Sequence, residues 1–430
     1  MRKLWLVLVV SVLAVSAFGA EVAQARLDPS FGNNGVVAVQ LPAAGPPGFE
    51  SVSAMTAARD GSAYVLASRT NCPGAGGCVT TRRLYRYAAD GVRDPAFGGS
   101  AGSYDLPQEQ EENVVLAVDS QGRPLLAQAN GGHLVVRRLT TSGTLDQDFG
   151  VGGAVAFECD CVYPNARLVP GPAGTLTVVL PGRGEGFGHH GTPITLFRRQ
   201  ADGSADPRFG RRGVSKLILP DAESFTTTAT THGGGLYLAG SGCCAPVHPI
   251  SVVRISAEGR FDKRFAKAVR HSLGSLDSLH GNRIAVGAVL SRPGGTIELL
   301  GSTGDGKRGF QLRVNPDGAL HKRFGRRGLR MLPEPVSSAA LGSEGSTLAL
   351  SSNGLTNKTF LARILADGRL DRSFDPESIS GIAGRYGVSV VPVAGRRVLV
   401  LDRGIEPCRS YCPQRPQLIR LLEGPPRKRR

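Results

Sequence analysis

The chain of 430 residues contains 58 glycines, 41% hydrophobic residues and 6% aromatic residues, with a formal net charge of +16. The hydrophobic content is enough for a packed core and excludes wholesale disorder, and the glycine content favours a turn-rich β protein over a helical bundle. The basic residues are spread along the chain apart from a cluster at residues 427–430. The charge therefore predicts solubility, and contact of this basic tail with an anionic surface is the alternative.

The first 25 residues have the pattern of a cleaved secretory signal. Arg2 and Lys3 precede an almost unbroken apolar run over residues 4–17, and the sequence Ala-Gln-Ala at 23–25 fits a cleavage site. The apolar run is short for a membrane span, which needs about 20 residues. We therefore expect cleavage near Ala25 and a secreted or extracytoplasmic mature chain.

Eight cysteines agree with an oxidising compartment, where an even number is typical of disulfides. They form four close pairs: Cys72/Cys78, Cys159/Cys161, Cys243/Cys244 and Cys408/Cys412. We expect the first and last pairs to be disulfides that staple loops. Adjacent cysteines depart from the usual disulfide geometry, so the two middle pairs could instead cross-link with each other, and their pairing stays open.

One motif recurs seven times, with an aspartate three residues before a phenylalanine in most copies and usually a glycine after it. The phenylalanines are 66, 52, 60, 56, 59 and 50 residues apart: Phe31, Phe97, Phe149, Phe209, Phe265, Phe324 and Phe374. An arginine lies eleven residues before each of them from the second copy onward: Arg86, Arg138, Arg198, Arg254, Arg313 and Arg363. A turn such as Asp90-Gly91 separates the two and predicts a β-hairpin, because glycine accepts a positive φ without strain.

This pattern resembles the delta-60 repeat family, whose motif centres on Leu-Asp-x-x-Phe-Gly-x-x-Gly, over nearly the whole chain after residue 25. The match is degraded at Phe265 and Phe374, where Ala266 and Asp375 replace the glycine, and His321 replaces an aspartate. The resemblance implies a propeller-like fold. It implies little about function, since proteins of this family mostly lack an assigned activity.

Three further short β runs in each interval give four strands per repeat, and four-stranded sheets repeated radially make a β-propeller. We predict an all-β, seven-bladed propeller of four-stranded blades over residues 26–424, with a disordered basic tail at 425–430. The first motif, Asp28 and Phe31, has no arginine run before it, and the last arginine run, around Arg420, has no motif after it. We therefore expect the N-terminal strand to join the last blade, with Arg420 near Asp28 and no open sheet edge.

The arginine and aspartate of one unit are eight residues apart. We expect them to form ion pairs or hydrogen bonds within each blade, with the phenylalanine as a packing plug. The expected pairs are Arg86/Asp94, Arg138/Asp146, Arg198/Asp206, Arg254/Asp262 and Arg363/Asp371. The alternative is a set of equivalent ligand sites. A residue that every blade needs usually serves the fold, so the structural role is the prediction.

If the strands run outward from the axis, turns such as those at Gly61 and Gly91 share one face, and the remaining loops share the other. All eight cysteines fall on that second face, together with Glu185, His189 and His190, which are weak candidates for a metal site. Adjacent histidines cannot easily point at one ion from an extended loop.

The sequence contains no zinc-protease motif or phosphate loop. Arginines flanking the motif, such as Arg211 and Arg326, lack the aromatic platforms of single-strand nucleic-acid binders. We predict a monomeric binding scaffold without a cofactor or nucleic acid, whose partner is an unknown extracellular protein or glycan. The alternative is a secreted hydrolase or lyase acting on cell-wall or extracellular polysaccharide.

Overall fold

A computed structural model of the chain describes residues 26–41, 48–71, 78–108, 114–130, 132–158, 166–182, 191–220, 222, 224–241, 250–274, 276, 284–353, 358–372, 374, 387–403 and 415–424. Within these residues the strands form seven antiparallel sheets. The sheets are the blades of a seven-bladed β-propeller, which confirms the predicted fold.

The blades are numbered in chain order after two N-terminal strands, β1 (Arg26–Leu27) and β2 (Val36–Ala38). Blades one and two consist of β3 (Gly48–Ala57), β4 (Ala63–Asn71), β5 (Val79–Tyr87) and β6 (Tyr104–Asp105), then β7 (Val114–Val118), β8 (Pro124–Asn130), β9 (His133–Arg138) and β10 (Ala154–Glu158). Blades three and four consist of β11 (Arg167–Pro170), β12 (Leu176–Pro181), β13 (Gly191–Arg199) and β14 (Val214–Pro220), then β15 (Ser224–Thr230), β16 (Leu236–Ser241), β17 (Ile250–Ile255) and the helix α1 (Lys263–Leu273).

The remaining blades follow the same order from the inner strand to the outer strand. Blade five consists of β18 (Ala285–Ser291), β19 (Ile297–Ser302), β20 (Gly309–Val314) and β21 (Leu329–Leu332). Blades six and seven consist of β22 (Ser338–Leu341), β23 (Thr347–Asn353) and β24 (Lys358–Ile364), then β25 (Gly387–Val393), β26 (Arg397–Asp402) and β27 (Gln417–Leu422).

The inner strands surround the axis in a closed circuit. Each of β3, β7, β11, β15, β18 and β22 contacts the inner strand of the next blade, and β25 contacts β3. The second strands are covered on both sides by neighbouring blades, so that β16 is buried along its whole length. A strand that is covered on both faces has a continuous apolar sequence rather than an alternating one, and the second strands have such sequences.

The N-terminal segment completes blade seven, as the sequence predicts. β1 and β2 both pair antiparallel with β27, with Leu27 opposite Leu421 and Val36 opposite Ile419. The Asp28 amide donates to the Arg420 carbonyl oxygen at 2.9 Å. The two ends of the array therefore satisfy one another, and this sheet has no unpaired edge at the junction.

Blade four differs from the other blades in its outer element. Residues after the motif aspartate form α1, and the Asp262 side chain caps this helix by accepting from the Phe265 amide at 3.0 Å. Where the motif keeps its glycine, that residue has a positive φ, as at Gly210 with 54°. Ala266 avoids this left-handed conformation and continues the helix instead. Phe265, Val269 and Leu273 are buried on one side of α1, so the phenylalanine still occupies the core.

The strand order defines two faces of the propeller. The turns between the first and second strands, such as residues 58–62, and those after the third strands, such as residues 88–92, lie at one end of the blades. Arg86 joins these two turns by reaching Asp60, with 3.4 Å between Nη2 and Oδ2. We call this end the turn face and the opposite end, where second strands lead to third strands, the loop face.

Candidate functional site

The repeated arginines form ion pairs with the motif aspartates in five blades. The nitrogen–oxygen distances are 2.8–3.1 Å for Arg86–Asp94, Arg138–Asp146, Arg254–Asp262, Arg363–Asp371 and Arg420–Asp28. Most of these groups are buried or half-buried. Such a pair is costly to break, because removing one partner leaves the other charge buried and unpaired, which typically costs about 3–5 kcal/mol.

In six blades the phenylalanine of the motif packs beneath an arginine. The guanidinium carbon lies 4.1–5.0 Å from the ring centroid in Arg138–Phe149, Arg198–Phe209, Arg254–Phe265, Arg313–Phe324, Arg363–Phe374 and Arg420–Phe31. Cation–π contacts of this kind contribute about 0.5–2 kcal/mol, more when they are desolvated. The phenylalanine is thus a core plug and also a platform that orients the arginine.

The same arginines also join each of these blades to the next, a role that the sequence does not predict. Their Nη1 atoms donate to a carbonyl oxygen in the following blade: Arg138 to Ala201, Arg198 to Ala257, Arg254 to Pro316, Arg313 to Ala366, Arg363 to Gly424 and Arg420 to Ala89. Any residue can supply a backbone carbonyl, so this acceptor leaves no signal in the sequence. Only the fixed spacing of the arginine and the turn hints at it.

The turn glycines are needed where adjacent blades approach closely. A Cβ atom at Gly143, in the turn of blade two, would lie 2.7 Å from the Phe97 ring of blade one. A Cβ atom at Gly259 would lie 3.0 Å from Phe209 in the same way. The arginine, phenylalanine and turn glycine therefore form one interlock between neighbouring blades, and the repeat motif is used for assembly of the ring.

Two arginines use partners other than the expected aspartate. Arg198 donates to Thr177 Oγ1 at 3.0 Å and to the Gly234 carbonyl oxygen at 2.8 Å, rather than to Asp206. The expected hydrogen-bonded pair is wrong here: Arg198 uses Thr177 of β12 and the Gly234 carbonyl oxygen, and Asp206 acts on its charge only at longer range. In blade five His321 replaces the aspartate, and Arg313 pairs instead with Glu298, with 2.9 Å between Nε and Oε1.

Glu298 is fully buried and is the acceptor for three neighbouring side chains. It pairs with Arg292 as well as Arg313 and accepts from Thr347 Oγ1 at 2.7 Å. Burial alone would raise the pKa of this carboxyl, but the hydrogen bonds and positive charges of its neighbours outweigh burial and lower the pKa. The carboxylate thus stays ionised and replaces the missing motif aspartate.

Asp28, at the junction of the chain ends, is also kept ionised by hydrogen bonds and neighbouring positive charges. Burial would raise the pKa of Asp28, but hydrogen bonds from Ser30 and the charges of Arg420 and Arg397 together lower it. The Ser30 hydroxyl donates to Asp28 Oδ1 at 2.6 Å and accepts from Arg420 Nη2 at 2.9 Å. The first motif therefore has a structural role, because it fixes the N-terminal segment to the last blade. We call the contacts among Asp28, Ser30 and Arg420 the clasp.

The cysteine and metal candidates fall almost wholly outside the described residues. Cys78 is described and is disulfide-bonded, while Cys72, Cys159, Cys161, Cys243, Cys244, Cys408 and Cys412 lie outside the described residues. The pairing therefore stays a prediction. Glu185, His189 and His190 also lie outside them. Within the described ranges, no three His, Cys, Asp or Glu side chains are grouped so that they could hold a metal ion.

A cavity of about 480 Å³ opens on the turn face among the inner turns of blades one to four, lined in part by Arg59, Asp119 and His232. Asp119 is the one carboxylate among its described lining residues. Its Oδ1 accepts from the Gln121 and Arg123 amides at 2.9 and 3.0 Å, and its Oδ2 accepts from Arg123 Nε at 2.8 Å. Glycoside hydrolysis usually needs two free carboxyl groups, so this arrangement suits turn stabilisation rather than acid–base chemistry.

The fold and these contacts together define the class of protein, a seven-bladed β-propeller whose repeat motif interlocks its blades. The chain matches no protein-family model, and none of the curated proteins is significantly similar to it in sequence. Among the described residues, no helix is long and apolar enough to cross a membrane.

Solved structures resemble the chain at low identity. Prolyl oligopeptidase B from Galerina marginata is 12% identical with a TM-score of 0.46, over 86% of this chain and 51% of that one. A protein of unknown function from Dyadobacter fermentans is 11% identical with a TM-score of 0.40, over 90% and 99% of the two chains. A quinoprotein alcohol dehydrogenase-like protein from Bacteroides thetaiotaomicron is 10% identical with a TM-score of 0.37, over 75% and 64%. The chain thus spans about half the length of the prolyl oligopeptidase.

Proposed function

We propose that the protein is an exported propeller scaffold that binds an extracellular protein or glycan through its loop face. The observation that carries this proposal is the division of roles between the two faces. On the turn side, the repeated arginines, phenylalanines and glycines are engaged in contacts between blades, as Arg138 is with Asp146, Phe149 and Ala201. Residues engaged in this way are not free to recognise a partner.

The connections on the loop face differ from one blade to the next. In four blades the segments that link second and third strands span residues 72–78, 182–190, 242–249 and 403–416. They share no motif, and three of them contain a cysteine pair. Sequence variation on a constant scaffold is typical of binding surfaces, and loops of this kind set specificity in many folds.

The prediction of export and of loop-stapling disulfides belongs to this proposal. Cys78 is the last residue of the first such segment and directly precedes β5. A disulfide within this segment would anchor it to the end of the blade and lower the entropy lost when it binds.

A binding screen with and without reductant tests the proposal. The exported protein is applied to a glycan array and to isolated cell-wall fractions, and we expect binding that is lost after reduction while the unfolding midpoint shows that the propeller remains folded. Arg59→Ala and His232→Ala, on the turn face, serve as matched controls that should bind normally. Binding that survives reduction but is lost in these two variants would overturn the proposal.

The alternative of a polysaccharide hydrolase or lyase is examined in the same experiment. Asp119, the carboxylate of the turn-face cavity, is held by the Arg123 side chain and two backbone amides. The scaffold proposal therefore predicts that no new reducing ends or unsaturated sugars are released from the fractions. Release that depends on the folded protein would replace it with the enzymatic function.

A further inference from the structure

Four arginines converge on an open groove between blades five and six. The groove has a volume of about 550 Å³, and its charged lining residues are Arg323, Arg326, Arg330, Arg369 and Asp367. The first three come from the motif and outer strand of blade five, and the last two come from the turn of blade six. The groove therefore forms only when the two blades pack together.

The positive charges in this groove exceed the acids that could neutralise them. Asp367, the one carboxylate among the described lining residues, is already paired with Arg369, with 2.5 Å between Oδ2 and Nη2. The guanidinium groups of Arg323, Arg326 and Arg330 make no side-chain hydrogen bond or ion pair with any described residue. Arg323 and Arg326 are exposed, and Arg330 is half-buried. Among the described residues, these three cations face the groove without a hydrogen bond or ion pair, and only Arg330 interacts with Asp367 at longer range.

Arg330 shows the clearest sign of a missing ligand. Its Nε is buried and has no hydrogen-bond partner in the part of the chain that the structure describes. A buried donor without an acceptor typically costs about 1–3 kcal/mol, so this position is destabilising unless something outside the described chain satisfies it.

The same position in blades two and three carries a residue that packs against the next blade. Ser215, six residues after Phe209, donates to the Gly259 carbonyl oxygen of the next blade at 2.6 Å. Val155, six residues after Phe149, packs against the turn glycine Gly203 of the next blade, where an added Cβ atom would lie 2.9 Å from Val155. In blade five this position is occupied by Arg330, a positively charged residue, instead of the small or apolar residue that packs against the next blade. The groove between blades five and six is therefore a local departure from the repeat and not a consequence of the fold.

We infer that this groove binds a tetrahedral oxyanion, the phosphate or sulfate group of a ligand. Guanidinium groups match such oxygens with paired, charge-assisted hydrogen bonds, and several arginines around an open groove suit a group carried on a larger molecule. The bound anion would neutralise Arg323 and Arg326 and supply an acceptor to Arg330. The site lies beside the outer strand β21, away from the loop face, so it is independent of the function proposed above.

Isothermal titration at low ionic strength tests this inference, with inorganic phosphate, inorganic sulfate and dextran sulfate as probes. We expect saturable binding of at least one probe and at least a tenfold loss of affinity in Arg330→Gln, the change that follows from losing a charged hydrogen-bonded group. Arg330→Lys keeps the charge but not the paired donors, and its affinity should lie between that of the unchanged protein and that of Arg330→Gln. A preference for phosphate or for sulfate would identify the source of the ligand group.

The equivalent groove of blades three and four supplies the matched control. Arg208 and Arg211 occupy the positions of Arg323 and Arg326, with Ser215 in place of Arg330. Arg208→Gln/Arg211→Gln should leave the affinity unchanged, and unfolding midpoints should show that all variants fold. No saturable binding of any probe, or equal losses in Arg330→Gln and this control, would overturn the site and indicate nonspecific attraction to a basic protein.

Discussion

Arg420 in blade seven and Arg86 in blade one occupy the same position of the repeat but have different surroundings. The Arg420 side chain is 4% exposed and the Arg86 side chain is 23% exposed. Arg420 pairs with Asp28, stacks on Phe31 and reaches the next blade. Arg86 pairs with Asp94 and Asp60, which both belong to its own blade.

The difference follows from the chain segments that each arginine joins. Arg86 and Asp94 are eight residues apart in a hairpin that its own backbone already closes. Arg420 and Asp28 are 392 residues apart, and their contact joins the two ends of the propeller. One sequence motif therefore serves local packing in blade one and ring closure in blade seven, and the closure carries the more buried contacts.

The largest expected effect comes from removing the arginine at the closure. Arg420→Ala removes the most buried partner of Asp28, the stacking on Phe31 and the hydrogen bond to Ala89, and leaves Asp28 with Arg397 at 2.9 Å. It should lower the free energy of unfolding by about 3–5 kcal/mol. Arg86→Ala removes a more exposed pair and should cost about 1 kcal/mol or less. Denaturant unfolding of the two variants measures both values, and similar losses would remove the distinction between the two blades.

The next effect concerns the turn glycine that packs against the closure. Gly91 has a φ of 89°, and a Cβ atom there would lie 2.6 Å from Val37 Cγ2 and 3.0 Å from Phe31. Gly91→Ala should therefore cost about 2–5 kcal/mol, from the left-handed backbone and the clash together.

Gly122 is the control for this substitution, because its φ is 81° but its nearest Cβ contact is 3.6 Å away. Gly122→Ala should cost only the backbone strain, about 1–2 kcal/mol. Equal losses in the two alanine variants would show that the close approach of Gly91 to Phe31 does not matter.

A smaller effect is the pH dependence of the clasp. The pKa of Asp28 is lowered below its ordinary value of 3.8, because burial, which would raise it, is outweighed by the hydrogen bonds from Ser30 and the charges of Arg420 and Arg397. A lowered pKa in the folded state stabilises the protein above the unfolded-state pKa, and this stabilisation is lost as the pH falls through the folded-state pKa. Asp28→Asn should therefore be destabilised at neutral pH, and its deficit should shrink below pH 3.8. Urea midpoints across this range test the prediction, and a deficit that stays constant with pH would contradict it.

The smallest effect is expected from the hydroxyl that supports the clasp. Ser30 bridges Asp28 and Arg420, and the equivalent residue in blade one is Ala96. Ser30→Ala should cost about 0.5–1.5 kcal/mol, the net contribution of a hydrogen bond. Thermal unfolding of Ser30→Ala measures this loss. A midpoint identical to that of the unchanged protein would show that the bridging hydroxyl adds nothing to the clasp.

The sequence predicts those features of the fold that depend on side chains at fixed spacing. The seven phenylalanines, the arginines eleven residues before them and the complementary ends at Asp28 and Arg420 predict the number of blades and the closure. Ala266 marks a degraded copy of the motif, but a lost glycine does not by itself indicate that a helix, α1, takes the place of a strand.

The remaining features depend on which blades lie side by side. The carbonyl oxygens that accept from the arginines carry no residue signal. Glu298 replaces the partner missing at His321 although it belongs to another strand, so only the pairing of β19 with β20 reveals it. The groove is hidden in the same way, because Arg330 and Arg369 are distant in sequence and meet only across two blades.

A pair of double-mutant cycles tests most directly whether the repeat closes the ring. Free energies of unfolding are measured for Arg420→Ala, Asp28→Ala and their combination, and likewise for Arg86→Ala, Asp94→Ala and their combination. Our account predicts a coupling of about 2–3 kcal/mol at the closure and less than about 1 kcal/mol in blade one. A coupling for Arg86 and Asp94 as large as that for Arg420 and Asp28 would contradict this difference, and a negligible coupling between Arg420 and Asp28 would show that strand pairing alone holds the ends together.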